Sequence, residues 1–477
     1  MTPCEAAGEP KARFAWQIFV PYFILCAAVN YPGRLNEDSL EQFIGVHDPR
    51  YLTDLHSPLA TLIWSLFAPI AGQPASALLV QSLLLAFFAS VVLVPCRWGP
   101  RQAAGIAIEI LFKASLVISA GFIIKDILLV GLLLSALASL RLAGPERRRR
   151  WLVAAAILFG LSLIVRPTNF VMLGVAALAL PLLVGSVRGW ATGAIAAAAA
   201  LALSVPVYGL ANRLLGAHPG HAEIQLFLFD SAGISARTGK DLFTELPRWP
   251  AGLPDPRACY TPSEAAIIAP WGACRGYAEA GAATYRQGRR SVIVWWLGNI
   301  VRHPIAYLQH RAAFAGHLLD PLGAARGHPV YAASLTTNEH HYYALNDAER
   351  PARFIAQTQG RISAADVAWW QGNAAAAALT RASSALYRNR GIEPIALLLC
   401  IAVLLWQFRA RRRGRPADIV AALAAGIGIG NFVMHGLFGV ASQSRYMFPT
   451  LCCALFVLAI VVRAGAPRPP ADRDAPA

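Results

Sequence analysis

Charge is what this sequence has least of. Only 14% of its 477 residues are Asp, Glu, Lys or Arg, where a soluble domain carries about 25%. A chain so poor in charge and 56% hydrophobic cannot coat itself in water-facing side chains, which excludes an ordinary soluble globule. Acidic residues are the scarcer sign, 26 against 42 basic, and the net charge of +16 raises the question of nucleic acid. The basic residues sit in short clusters between apolar runs, the marking of cytoplasmic loops, so no nucleic-acid partner is expected. Lysine is nearly absent beside arginine, which reads mainly as codon bias in a GC-rich bacterium, although Arg also suits bidentate phosphate binding. There is no Walker motif, no GxGxxG, no CxxC pair and no Cys/His cluster with zinc spacing. The expectation is therefore no nucleotide cofactor and no metal. Internal repeats, common in transporters built from matching halves, are also missing.

Long apolar runs are what is there. A helix crossing a bilayer needs about 17 to 25 apolar residues. Candidate runs are Phe14 to Val29, Ala75 to Val94, Ala103 to Ala120, Gly121 to Leu140, Trp151 to Val165, Thr168 to Val187, Ala191 to Leu210, Ile392 to Phe408, Ile419 to Val440 and Met447 to Val462. They predict an all-α, polytopic membrane helical bundle of about ten spans with an extracytoplasmic subdomain. Lys11 and Arg13 precede the first run, which ends in Asn30-Tyr31-Pro32 without an A-x-A site, so it reads as a retained anchor. With both termini cytoplasmic, Arg97/Arg101, Arg147 to Arg150, Arg188, Arg409 to Arg415 and Arg463 fall on one side. That parity requires Ser57 to Ala71 not to cross; it and a polar helix from Glu37 to about Ile44 are expected to lie at the outer face.

Three parts follow: 1–215, an N-terminal membrane module with the first outer loop; 216–391, an extracytoplasmic region; 392–477, the C-terminal helices and tail. In the middle part Ser291 to Leu319 reads as an amphipathic helix lying at the interface. Cys259 and Cys274 are the only cysteines there, and in an oxidising periplasm they are expected to form a disulfide. Cys26, Cys96, Cys400, Cys452 and Cys453 lie in or beside apolar runs and read as small hydrophobes.

The first outer segment holds five acids, Glu37, Asp38, Glu41, Asp48 and Asp54. They suit a solvated turn in which Asn36 or Asp38 caps one helix and Ser57 the next, with Pro58 at its start. Lys125-Asp126, Arg166 and Arg445-Tyr446 fall at outer junctions between spans, where cations either snorkel to the interface or bind an anion. Glu109 and Lys113, at i and i+4 inside one span, read as a structural pair.

An anchor, an outer Pro-containing turn, an Asp opening a helix, a His56-Ser57-Pro58 before a short helix and a span ending in Arg97-Trp98 together resemble the GT-C class of membrane glycosyltransferases. Bacterial lipid A aminoarabinose transferases and protein O-mannosyltransferases are the members most alike, over the first half of the chain. The resemblance implies transfer of a sugar from a polyprenyl-phosphate donor to a lipid, glycan or protein acceptor at the outer face of the bacterial inner membrane. Asp38 matches the class's catalytic carboxylate, with Glu37 as the alternative, because the family's second acid follows the Asp whereas here Glu37 precedes it. Asp54 and His56 stand at the second motif, His56 in place of the usual Lys. A base must take the acceptor's proton, and one carboxylate suffices for inversion, whereas retention wants two close together. Lys125, Asp126, Arg166, Arg445 and Tyr446 would then line the donor site. Ser444-Arg-Tyr-Met-Phe-Pro449 resembles the RY turn of such enzymes, and His303-Pro304 with Arg311 another of their motifs. The rival readings are a flippase or transporter of a lipid-linked glycan and a surface-polysaccharide ligase or polymerase.

Overall fold

The computed structural model describes residues 11–31, 33–35, 52–53, 56–72, 75–94, 99–143, 148–166, 169–184, 206–221, 223–246, 249–263, 273–319, 392–413, 418–440 and 444–464, with a few single positions between them. The chain is mostly helical. Strand β1 (Lys11–Phe14) leads into α1 (Trp16–Asn30); β2 (Arg34–Leu35) follows, then α2 (Pro58–Trp64), α3 (Ala68–Ala71) and α4 (Ala75–Ser90). After β3 (Val91–Val94) come α5 (Pro100–Ser119), β4 (Phe122–Ile123), α6 (Lys125–Leu142), α7 (Arg148–Val165) and α8 (Asn169–Val184). Next are α9 (Glu223–Thr238), α10 (Gly276–Arg302) and α11 (Pro304–Leu319), and finally α12 (Ile392–Arg412), α13 (Ile419–Phe438) and α14 (Phe448–Ala464).

Three of these, α5, α12 and α13, are long and apolar enough to cross a membrane, and α1, α4 and α14 are shorter apolar helices. Their outward faces stay greasy: Leu111 on α5 is 71% exposed and Leu398 on α12 63%. Apolar surface on that scale suits lipid rather than water as the solvent. Ser57 to Ala71 forms two pieces of 7 and 4 residues, each far too short to cross. Ser57 caps the first, its hydroxyl accepting from the Ala60 amide at 3.4 Å, with Pro58 at the first helical position. Of Ala191 to Leu210 only scattered positions and the helical stretch from 206 onward are described.

Two expected spans start or stop differently from the apolar pattern. The run Ala75 to Val94 is helix only to Ser90; Val91-Val-Leu-Val94 pairs antiparallel with β1, from Lys11↔Val94 to Phe14↔Val91. β-Branched residues favour that extended form. Likewise the run from Gly121 becomes helical only at Lys125, because Phe122–Ile123 pairs in parallel with Arg34–Leu35.

One core joins α1, α4, α5, α6, α8, α12, α13 and α14, and a second lies under α2 between α4, α6 and α7. α8 and α13 touch backbone to backbone: a Cβ on Gly430 would sit 2.6 Å from the Met172 carbonyl oxygen, so only glycine permits the approach. Buried charges are paired. Arg141 near the end of α6 binds Asp418, the N-cap of α13, whose carboxylate accepts from the Ala421 amide at 2.9 Å. Glu109 takes Lys113 at 2.5 Å and also Arg463 at 2.8 Å, making a trio of the expected pair.

A third core belongs to α9, α10 and α11, around Phe229, Phe243, Tyr277, Tyr285 and Phe314. Cys259 and Cys274 are disulfide-bonded across its loop, with Cα atoms 5.9 Å apart. The single amphipathic helix expected over Ser291 to Leu319 is instead two. Pro304 ends α10 by pushing His303 out of helical conformation, to φ −129° and ψ 53°, and starts α11. Arg311, a charged residue within that stretch, is buried.

Candidate active site

The end of the bundle where α6 begins gathers most of the expected site residues that the structure describes. α6 opens with Lys125 and Asp126, so both stand in its first turn, where the helix dipole favours the Asp126 carboxylate. The Lys125 ammonium lies 3.0 Å from His56 Nδ1, and a cationic Lys can only donate there, which makes His56 the acceptor. His56 reaches this place because Ser57, next to it, hydrogen-bonds the Ile164 carbonyl at 2.8 Å, tying the start of α2 to the end of α7. Arg166, just beyond α7, pairs with Asp126. Its guanidinium also lies 5.3 Å from the centre of the Tyr446 ring, within cation–π range.

Tyr446 belongs to the 3-10 turn Ser444–Met447 between α13 and α14. Its carbonyl accepts from Asn431 Nδ2 at 2.7 Å, and its ring lies 4.7 Å from that of His435. His435, on the last turn of α13, was not among the expected site residues; a lone His in an apolar run is the only signal that could have found it. Lys125, Asp126, Arg166, His56 and Tyr446 therefore form one connected group drawn from four separate stretches of chain. Among the described residues this group sets the Lys125 and Arg166 cations beside the one Asp126 carboxylate, and paired cations of this kind suit an anion such as a phosphate ester.

Glu37, Asp38 and Asp54 lie outside the described residues, as does the side chain of Arg445, whose backbone is in the 3-10 turn. The segments beside them are fixed. Leu35 is paired with Ile123, two residues ahead of Lys125. Thr53 bridges His218, whose amide donates to the Leu52 carbonyl at 2.7 Å.

Sequence reasoning also missed a buried polar cluster in the α9–α11 module. Asp230 takes His310 Nε2 at 3.1 Å, Arg311 Nη2 at 2.5 Å and Trp296 Nε1 at 3.0 Å. His310 Nδ1 is 2.9 Å from the Tyr260 hydroxyl, which accepts from Arg237 at 3.0 Å. Burial holds the His310 imidazole below its usual 6.5, against the pull of Asp230 in the other direction. An Asp inside the apolar stretch Ile224 to Ile234 was the available signal. His303 and Arg311, taken together in one motif, part here: Arg311 joins the cluster and His303 ends α10. No family model, no curated protein and no solved structure matches the chain.

Proposed function

We propose that this protein is a glycosyltransferase of the inner membrane, with about ten spans, that moves a sugar from a polyprenyl-phosphate donor to a lipid, glycan or protein acceptor at the outer face. The observation that carries the reading is the parallel register of Leu35 on Ile123. It brings the chain entering Asn36-Glu37-Asp38 alongside the residues that lead into Lys125-Asp126. Asp38 follows Leu35 by three residues of chain, a span of at most about 11 Å, and in this reading its carboxylate serves the cation group.

The chemistry divides between the two parts. The acceptor hydroxyl attacks the anomeric carbon, the bond from that carbon to the phosphate oxygen breaks, and polyprenyl phosphate leaves with the electron pair. Asp38 takes the hydroxyl proton as general base; Lys125, Arg166 and Arg445 hold the departing phosphate. Asp126 and Tyr446 orient Arg166, and His56 orients Lys125. One base opposite the leaving group gives inversion.

The test is donor-dependent transfer by purified protein with Asp38→Asn, a change that keeps size and capping ability. Rate should fall by about 10² to 10⁴-fold with folding intact. Near-normal transfer would move the role to Glu37, and movement of intact donor across vesicles without transfer would replace the enzyme by a flippase.

A further inference from the structure

The buried Asp230–Arg311 pair does more than fill the core of the α9–α11 module. A buried ion pair can often be exchanged for apolar residues at no loss of stability, so its reach beyond the module carries the argument. Asp230 holds one side of the Arg311 guanidinium; the other terminal nitrogen, Nη1, donates to the Gly439 carbonyl at 2.7 Å. Gly439 is the residue on which α13 ends. The next carbonyl, of Val440, accepts from the Ala265 amide at 2.7 Å. Two successive carbonyls of the α13–α14 connection are thus held by the module.

The fit is close at that point. A Cβ on Gly439 would meet the His435 carbonyl oxygen at 2.4 Å and the Phe314 ring at 2.8 Å, so α11 can approach α13 only over a glycine. Phe314 itself packs under the Arg311 guanidinium, 5.7 Å from it. The far end of the same connection is held as well: Asn431 binds the Tyr446 carbonyl, and the Tyr446 ring contacts both His435 and Arg166. The connection that bears Arg445 and Tyr446 is therefore anchored at one end by the module and at the other by the cation group.

We propose that Arg311, oriented by Asp230, is a positioning residue. It fixes the α13–α14 connection so that Tyr446 meets Arg166 beside the anion bound at Lys125 and Arg166, and it makes the α9–α11 module a determinant of donor affinity. The proposal rests on the glycosyltransferase reading for the identity of that anion. Arg311→Lys keeps the charge beside Asp230 but lacks the fork needed to reach Gly439 as well. Ala265→Pro removes the donor to Val440 and leaves the Asp230 cluster untouched, so it serves if the Lys variant does not fold.

Two readouts on full-length protein in detergent decide the matter: amide hydrogen exchange over residues 432–447, and donor KM against kcat. Faster exchange in that segment is expected for either variant, with donor KM raised on the order of tenfold, the loss of one hydrogen bond to a charged group, and kcat nearly unchanged. Unchanged exchange in a folded variant would overturn the proposal, as would a fall in kcat alone. If the wild type transfers no sugar, the glycosyltransferase reading fails while the exchange comparison still decides whether Arg311 positions the turn.

Discussion

Arg166 meets Asp126 across the start of α6 and the end of α7, and the Asp126 side chain of that pair is 2% exposed. The pair joins two elements of the bundle while the guanidinium also lies over the Tyr446 ring. Removing one partner strands the other. Asp126→Asn is expected to lower stability by about 3 kcal/mol, the low end of the range for a broken buried pair because Arg166 keeps some contact with solvent. Asp126→Asn combined with Arg166→Gln should recover a good part of that loss. Denaturant melts of the single and double variants test it; additive losses would show that the two side chains do not depend on one another.

The disulfide closes a loop with a sequence separation of 15 between Cys259 and Cys274. A loop of that size contributes on the order of 3 kcal/mol in the chain-entropy model. The Cys259→Ser, Cys274→Ser double variant should therefore unfold at lower denaturant in the α9–α11 module, followed by the fluorescence of Trp249, Trp295 and Trp296. A melt indistinguishable from the wild type would show that the packing around Phe243 and Tyr277 suffices alone.

His310 gives that module a pH dependence. Its folded pKa lies below 6.5 because burial, aided by Arg311 and Arg237, outweighs the pull of Asp230. The unfolded chain then binds the proton first as pH falls, so stability is complete above 6.5 and declines as pH drops from 6.5 toward the lower folded value. Asp230, Arg311, Arg237 and Tyr260 are the charged or titratable groups that it faces. Melting midpoints at pH 7.5 and 5.5 should differ more for the wild type than for His310→Gln; equal differences would remove His310 from the linkage.

How much of this was legible in the sequence depends on the distance over which each feature is specified. Apolar runs specify helices locally, and α5, α12 and α13 lie where those runs are. The Glu109–Lys113 pair, one helical turn apart, was equally readable, but its third member Arg463 comes from the opposite end of the chain and leaves no local mark. Val91 to Val94 reads as apolar whether helical or extended; its β-branching suits a strand, but only the pairing with β1 decides it. The same holds at the candidate site. Lys125, Asp126 and Arg166 stood out as charges at the ends of apolar runs, whereas their meeting with His56 and Tyr446 depends on how α2, α7 and α14 pack. Asp230 and His310, 80 residues apart, could not be paired from sequence.

The sidedness of the bundle can be tested with single cysteines introduced at exposed positions, because the native ones give little background. α13 begins at Asp418, bound to Arg141, and ends at Gly439, bound to Arg311 of the α9–α11 module. If α13 crosses the bilayer, that module and the Asp418 end lie on opposite sides. α12 ends in Arg409, Arg411 and Arg412, and positive residues mark the cytoplasmic face, so the module should face outward. Cys26, Cys400, Cys452 and Cys453 are buried and Cys259 is bonded to Cys274, which leaves little background once Cys4 and Cys96 are changed to Ser. In that protein Arg257→Cys, at a half-exposed position of the module, should react with a membrane-impermeant maleimide on intact cells. Arg413→Cys, exposed just past α12, should react only after lysis. Labelling of both on intact cells would mean that α12 and α13 do not separate two compartments. The reversed pattern would put the arginine clusters outside and the cation group of Lys125 and Arg166 in the cytoplasm, out of reach of a donor presented at the outer face.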